Sequence, residues 1–168
     1  ATTFRASFRQ TEAISRSRFL TPASRVKPSM SWRRASSSKP TWAASVETAR
    51  LADTAGFEAI VAYARWKGYI PGHPDHPSGI VLDPFTWSAG IAQATRYSAV
   101  LATTHAPTYH PAACAKQCAT IDIISDGRFG LNIVAGWNEG EFEMFGVAQR
   151  DHETRYEYAT EWIEAVKR

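Results

Sequence analysis

Asn132 interrupts an otherwise apolar run, "GRFGLNIVAGWNEGEFEMFG" (127–146), flanked by Gly130 and Gly136 and followed closely by Trp137, Asn138, Glu139 and Glu141. In an extended chain Phe129, Leu131, Ile133 and Ala135 point to one side, and Gly130, Asn132, Val134 and Gly136 to the other. The first set is bulky enough to pack against helices. The second is small and carries a single amide, as expected of a surface that a flat ligand approaches closely. A buried amide left unpaired costs about 1–3 kcal/mol. Asn132 therefore has a partner, either a bound ligand or a residue on a neighbouring strand, and spacing alone does not separate the two.

The other residues with chemical potential each have a plainer reading. Asn138 and Glu141 have the spacing of a capping box at the start of a short helix, and that reading is favoured over a ligand contact for Glu141. His105 ends an apolar run. A neutral imidazole there suits a hydrogen bond to a ligand or to an oxygen-derived intermediate, and equally one to neighbouring backbone. Tyr156, Ala159, Ile163 and Val166 form an apolar helical stripe, which puts Tyr156 in the core and Arg155 in solvent unless an anion or aromatic ring lies alongside it. The loop "HPDHP" (73–77) holds two histidines and an acid, but its prolines keep it extended and no third ligand is spaced for zinc, so no metal site is expected. Cys114 and Cys118 are four residues apart on an expected helix. They read as two small buried side chains in preference to a redox pair, which suits a reducing cytoplasm. No nucleophile elbow, zincin motif or catalytic triad is evident, and the glycine fingerprints of nucleotide-binding folds are missing.

These residues need a scaffold. The 168 residues suit one domain or part of a larger one, and 44% hydrophobic residues with six Trp suffice for a core. The longest charge-free run, Tyr97 to Ala115, is broken by Thr, His and Pro, so no membrane span is expected. Nine of the 19 Lys and Arg fall in residues 1–40 beside a single acid, Glu12, and nine Ser. That stretch is irregular, with the composition of a transit peptide or a tail, and is expected to be an unstructured extension. Its charge lacks the folded, aromatic-lined face of a nucleic-acid site, so no nucleic-acid partner is expected.

From Thr41 onward the punctuation becomes regular. Thr41 caps a helix through "WAASVETARLADTA" that stops at Gly56. "FEAIVAYA" (57–64) reads as a buried strand, and a Pro- and Gly-rich loop follows. Asp83-Pro84 opens a second helix, "YSAVLATT" (97–104) is a second strand, His110-Pro111 opens a third helix, and "FGLNIVAG" (129–136) is a third strand. Alternation of this kind predicts an α/β fold with a parallel sheet. The long loops follow the C-terminal ends of the strands, where barrel enzymes build their sites. A complete eight-stranded barrel takes about 250 residues. Residues 41–168 are thus expected to form a TIM-barrel-like (β/α) unit truncated to about half a barrel.

The segments "ARWKGY", "DPFTW", "ATTHAPTYHPAACAKQCATIDIISDGRFGLNIVAGWNEGEFEMFG" and "DHETRYEYATEWIEAVKR" together resemble the bacterial-luciferase-like flavin-dependent monooxygenases, in the alkanesulfonate, dimethyl-sulfone and pyrimidine oxygenase branch. The resemblance spans residues 42 to 168. It implies a cytoplasmic enzyme that binds reduced FMN at the C-terminal face of the barrel and inserts one oxygen from O2 into a small organic substrate. It further implies a separate NAD(P)H-dependent flavin reductase as partner, and it leaves room for a homo-oligomer. The family's flavin contacts fall on Ala64, Arg65, Asn132, Glu141, Arg155 and Tyr156, and His105 becomes the candidate for positioning oxygen or substrate. As about half a barrel, the chain is expected to be a fragment of such an enzyme and inactive alone. Two other readings stand beside this one: a deazaflavin-dependent hydride-transfer enzyme, and a half barrel that serves as a non-catalytic interaction module.

Overall fold

Alternating helix and strand signals become a parallel sheet because each apolar run is too short to be a helix and buries one face against the helices beside it. The computed structural model describes residues 41–68, 70, 73 and 76–168. The basic segment 1–40, and Pro74 and Asp75 of the "HPDHP" loop, lie outside these residues. The order is α1 (Trp42–Thr54), β1 (Ala59–Ala62), α2 (Pro84–Ala94), β2 (Ala99–His105), α3 (Pro111–Ser125), β3 (Phe129–Val134), α4 (Glu139–Met144) and α5 (His152–Lys167). The strands form one parallel sheet in the order β1-β2-β3. This is the expected (β/α) architecture. No helix among the described residues is long and apolar enough to cross a membrane.

One face of the sheet is covered by helices. Ile60 and Val100 pack with Ala49 of α1 and Ile91 and Ala92 of α2. Ala102, Phe129, Leu131 and Ile133 pack with Phe85 of α2, Cys114 and Ile121 of α3, and Ala159, Trp162 and Val166 of α5. Full burial of a side chain such as Ile91 or Val100 contributes about 1.5–3 kcal/mol. The bulky set of β3 thus faces the helices, as its alternation predicts. Ala59 and Val61 of β1 point the other way and are exposed, so the opposite face of the sheet is open there.

The strands are shorter than their apolar runs, for identifiable reasons. The first is expected from Phe57 but begins at Ala59. The amides of Gly56 and Phe57 close the end of α1 by bonding Asp53 O and Ala52 O, each at 3.1 Å, in a Schellman motif. The second is expected from Tyr97 but begins at Ala99. Asp53 draws the amides of Arg96, Tyr97 and Ser98 to its carboxylate at 3.0, 2.9 and 2.7 Å, folding them into a turn. It then extends through His105, one residue past expectation. The third stops at Val134 because Gly136 adopts φ +82°, which no strand sustains.

The N-terminal ends of the strands are tied together by two charged side chains. Besides the Asp53 clamp, Arg128 sends Nη1 to Ser98 O (2.8 Å) and Nη2 to Ala92 O (2.7 Å), joining β3 to the turn before β2 and to the end of α2. Burial pushes the Asp53 carboxyl upward, but the three amides outweigh it and hold its pKa at about 2. The folded value lies below the unfolded one of about 4, so this contribution is complete above pH ~4 and is lost as the pH falls towards ~2. Asp53→Ala is expected to destabilise the chain by about 1–2 kcal/mol, the size of a lost cap. The variant is also expected to lose less additional stability than the wild type between pH ~4 and pH ~2, as thermal denaturation at each pH would report.

Candidate functional site

The opposite, C-terminal ends of the strands carry the residues with chemical potential. In the parallel register Leu101 lies beside Gly130, Thr103 beside Asn132, and His105 beside Val134. All six point to the face away from the helices. Gly130 makes room in this row: a Cβ there would stand 2.9 Å from Leu101 Cγ. The neighbouring-strand partner of Asn132 is Thr103, whose Oγ1 accepts from Asn132 Nδ2 at 3.0 Å. That bond uses one of the amide's two N–H donors and fixes the plane of the group.

Glu141 is the most constrained polar residue of this end, at 2% exposure. Its Oε1 accepts from Trp66 N at 2.8 Å, and from Lys67 N and Arg65 Nη1, both at 3.4 Å. Its Oε2 lies 3.7 Å from His105 Nε2, too long for a hydrogen bond but within ion-pair range if the imidazole is protonated. The capping-box reading is therefore corrected. Asn138 precedes α4 without a side-chain cap bond, and the Glu141 carboxylate turns away from the helix start. Two amides and a guanidinium on the loop after β1 offer it more than the single amide of a capping box.

His105 is buried at the end of β2. Burial and the positive charge of Arg65 push its pKa below the ordinary imidazole value, while Glu141 pulls the other way and does not prevail. The ring is neutral at pH 7, able to donate from one nitrogen and accept at the other. Ala64, Thr103 and His105 line one crevice with Trp66, Phe85 and Tyr109. The Arg65 guanidinium lies 5.2 Å from the centre of the Trp137 ring, so the segments after β1 and β3 meet above β2.

On α5, Ala159, Ile163 and Val166 of the expected stripe pack against the core, and Tyr156 does not. Tyr156, expected in the core, is 56% exposed and its ring leans on His152, 4.7 Å between centroids. Trp162 sets the phase. It is buried with Ala159 and Val166 and donates from Nε1 to Tyr109 O at 2.6 Å. Arg155, four residues before Ala159, shares that inward face and is half-buried instead of solvated. Its Nη1 donates to Gly136 O, at the positive-φ turn that ends β3. A Cβ on Gly136 would stand 2.3 Å from the Phe142 ring, so this turn requires glycine twice over.

Of the residues singled out in the sequence, Ala64, Arg65, His105 and Glu141 are brought together, and Asn132 joins them through Thr103. Arg155 reaches the same end through the Gly136 backbone. Tyr156 sits one position away on the exposed side of α5. Sequence reasoning missed Thr103, Trp66 and Lys67. Thr103 gains its place from strand register, and Trp66 and Lys67 contribute backbone amides, so none carries a local signal. Among the described residues no group of three His, Cys, Asp or Glu could hold a metal ion.

The carboxylate is expected to order the loop after β1. Removing a partner from a buried pair costs about 3–5 kcal/mol, so Glu141→Ala should be severely destabilised. Glu141→Gln keeps an acceptor for Trp66 N and should fold. Hydrogen exchange at Trp66 and Lys67 should nevertheless be faster in Glu141→Gln than in the wild type, because a neutral amide is the weaker acceptor.

Residues 25–168 match the luciferase-like monooxygenase family. A pyrimidine monooxygenase RutA from Bradyrhizobium sp. is 34% identical over 131 residues, covering 77% of this chain and 36% of that protein. A pyrimidine monooxygenase RutA from Escherichia coli is 41% identical over 88 residues, covering 51% of this chain and 27% of that one. Among solved structures, the EDTA monooxygenase EmoA from Chelativorans sp. BNC1 superposes with a TM-score of 0.64 at 25% identity, over 72% of this chain and 29% of that one. The chain thus spans about a third of the length of the curated relatives it matches. With the parallel sheet, the loops after its C-terminal strand ends and the family match in agreement, the chain belongs to the luciferase-like monooxygenase family and covers part of that family's barrel.

Proposed function

We propose that this chain supplies part of the flavin-binding barrel of an FMN-dependent monooxygenase acting on a small organic molecule, with a pyrimidine as the first candidate. The observation that carries the reading is the row Thr103–Asn132 beside the buried Glu141–Arg65–His105 group, at the strand ends where barrel enzymes bind their ligands. The similarity to pyrimidine monooxygenases favours that substrate class over the sulfonates and sulfones.

The residues present fit a flavin. The inward side of β3 is small, with Gly130 and Val134 on either side of a single amide whose plane is already fixed. In this reading Asn132 hydrogen-bonds the polar edge of the ring system. Ala64 and Arg65 hold it from the β1 side, and Arg155 and Tyr156 from the start of α5. Glu141 neutralises Arg65 and fixes the loop that carries it. Reduced FMN, delivered by a separate NAD(P)H-dependent reductase, supplies the electrons with which O2 is activated. The protein's share is to orient the ring, exclude water and present His105 as a neutral hydrogen-bonding group to oxygen or substrate.

FMN titration followed by flavin fluorescence quenching tests the reading. The wild-type chain is expected to bind. Asn132→Ala is expected to bind about tenfold more weakly, the value of one hydrogen bond of roughly 1.4 kcal/mol. Thr103→Val, which leaves the amide in place but frees its plane, should show a smaller loss. Unchanged affinity in Asn132→Ala would remove the flavin from this position.

A further inference from the structure

A second reactive pair lies on α3, independent of the flavin reading. Cys114 and Cys118 are one helical turn apart, which stacks their side chains on one face. Their sulfurs are in hydrogen-bond contact at 3.8 Å. Cys114 is fully buried in the core with Phe85, Ala102 and Trp162, whereas Cys118 is half-buried at the edge of the same cluster. A thiol within reach of solvent touching one sealed behind it is the arrangement of an attacking and a resolving cysteine. The contact also polarises the pair. The sulfur–sulfur contact draws the Cys118 pKa down against its burial, and the same contact, with burial, pushes Cys114 up.

We infer that Cys118 and Cys114 form a peroxide-sensitive dithiol, with Cys118 as the attacking sulfur and Cys114 as the resolving one. The Cys118 thiolate attacks hydrogen peroxide, the O–O bond breaks, hydroxide leaves, and the sulfur, having lost two electrons, becomes a sulfenic acid. Cys114 then attacks that sulfur, the S–S bond forms, the S–O bond breaks, and hydroxide departs with the Cys114 proton as water. Two thiols and one peroxide yield one disulfide and two waters.

The helix resists this closure, which makes it reversible. Residues four apart on a helix hold their Cβ atoms about 5–6 Å apart, and a relaxed disulfide holds them at about 3.5–4.5 Å. The turn must deform, and a strained disulfide is readily reduced. The deformed turn includes Gln117, whose Oε1 accepts from the Tyr109 hydroxyl, and Tyr109 O in turn receives Trp162 of α5. Oxidation at α3 is thereby felt where α5 docks.

The test treats the full chain with hydrogen peroxide and reads free thiols, intact mass and melting temperature. Its two cysteines let the thiols be counted directly. The wild type is expected to lose both thiols together, to lighten by two hydrogen atoms, and to melt lower until dithiothreitol restores it. In Cys114→Ser the reaction should stop at a sulfenic acid that dimedone traps on Cys118. In Cys118→Ser the remaining thiol should stay unreacted. The inference fails if the wild type keeps both thiols at peroxide levels that oxidise a free cysteine peptide. It also fails if Cys114 reacts as fast in Cys118→Ser, or if the disulfide forms only between chains.

Discussion

A carboxylate at 2% exposure is costly to bury without hydrogen-bond partners, and the C-terminal end of this sheet is organised around supplying them to Glu141. Its hydrogen-bond partners come from the loop after β1, while Glu141 itself sits on the short helix after β3, with the last residue of β2 alongside. One charge therefore joins the loops after β1 and β3, beside the end of β2. The arrangement also explains the state of His105. Burial, with the positive charge of Arg65, outweighs the pull of Glu141 on the imidazole and holds its pKa below the ordinary value.

The two ends of the sheet divide their labour. At the N-terminal end Asp53 and Arg128 bond mainly to backbone, fastening turns whose conformations the strands would otherwise take over. At the C-terminal end side chains bond to side chains and to loop amides, and the inward row is left small. Barrel proteins place stability at the first end and chemistry at the second. The oxidisable pair on α3 belongs to neither. It lies in the helix layer, where a change in one turn passes to α5 through Tyr109.

What was legible in the sequence follows from the range of the interactions involved. The order of elements could be read because apolar runs, prolines after capping residues and helix-stopping glycines act within a few positions. The start of β2 could not, since Asp53 reaches some 45 residues along the chain to shape the turn before it. Asn132 was conspicuous as an amide in an apolar run, yet its partner Thr103 is set by register, which no local pattern encodes. Glu141 was misread for the same reason. A capping box is a local bond, and the donors that won lie about 75 residues away. Tyr156 failed differently: the stripe was real, but the larger Trp162 rotated the helix and carried Arg155 inward in its place.

The strand ends around Asn132 and Glu141 are proposed as a flavin seat, and hydrogen exchange measured on the chain with and without FMN is the test of that seat. Added protection is expected in Ala64–Lys67 and in Asn132–Trp137, with exchange at Arg96–Ser98, on the opposite end of the sheet, unchanged. Protection confined to α1 and α2, or none at FMN concentrations that saturate flavin proteins of this family, would contradict it.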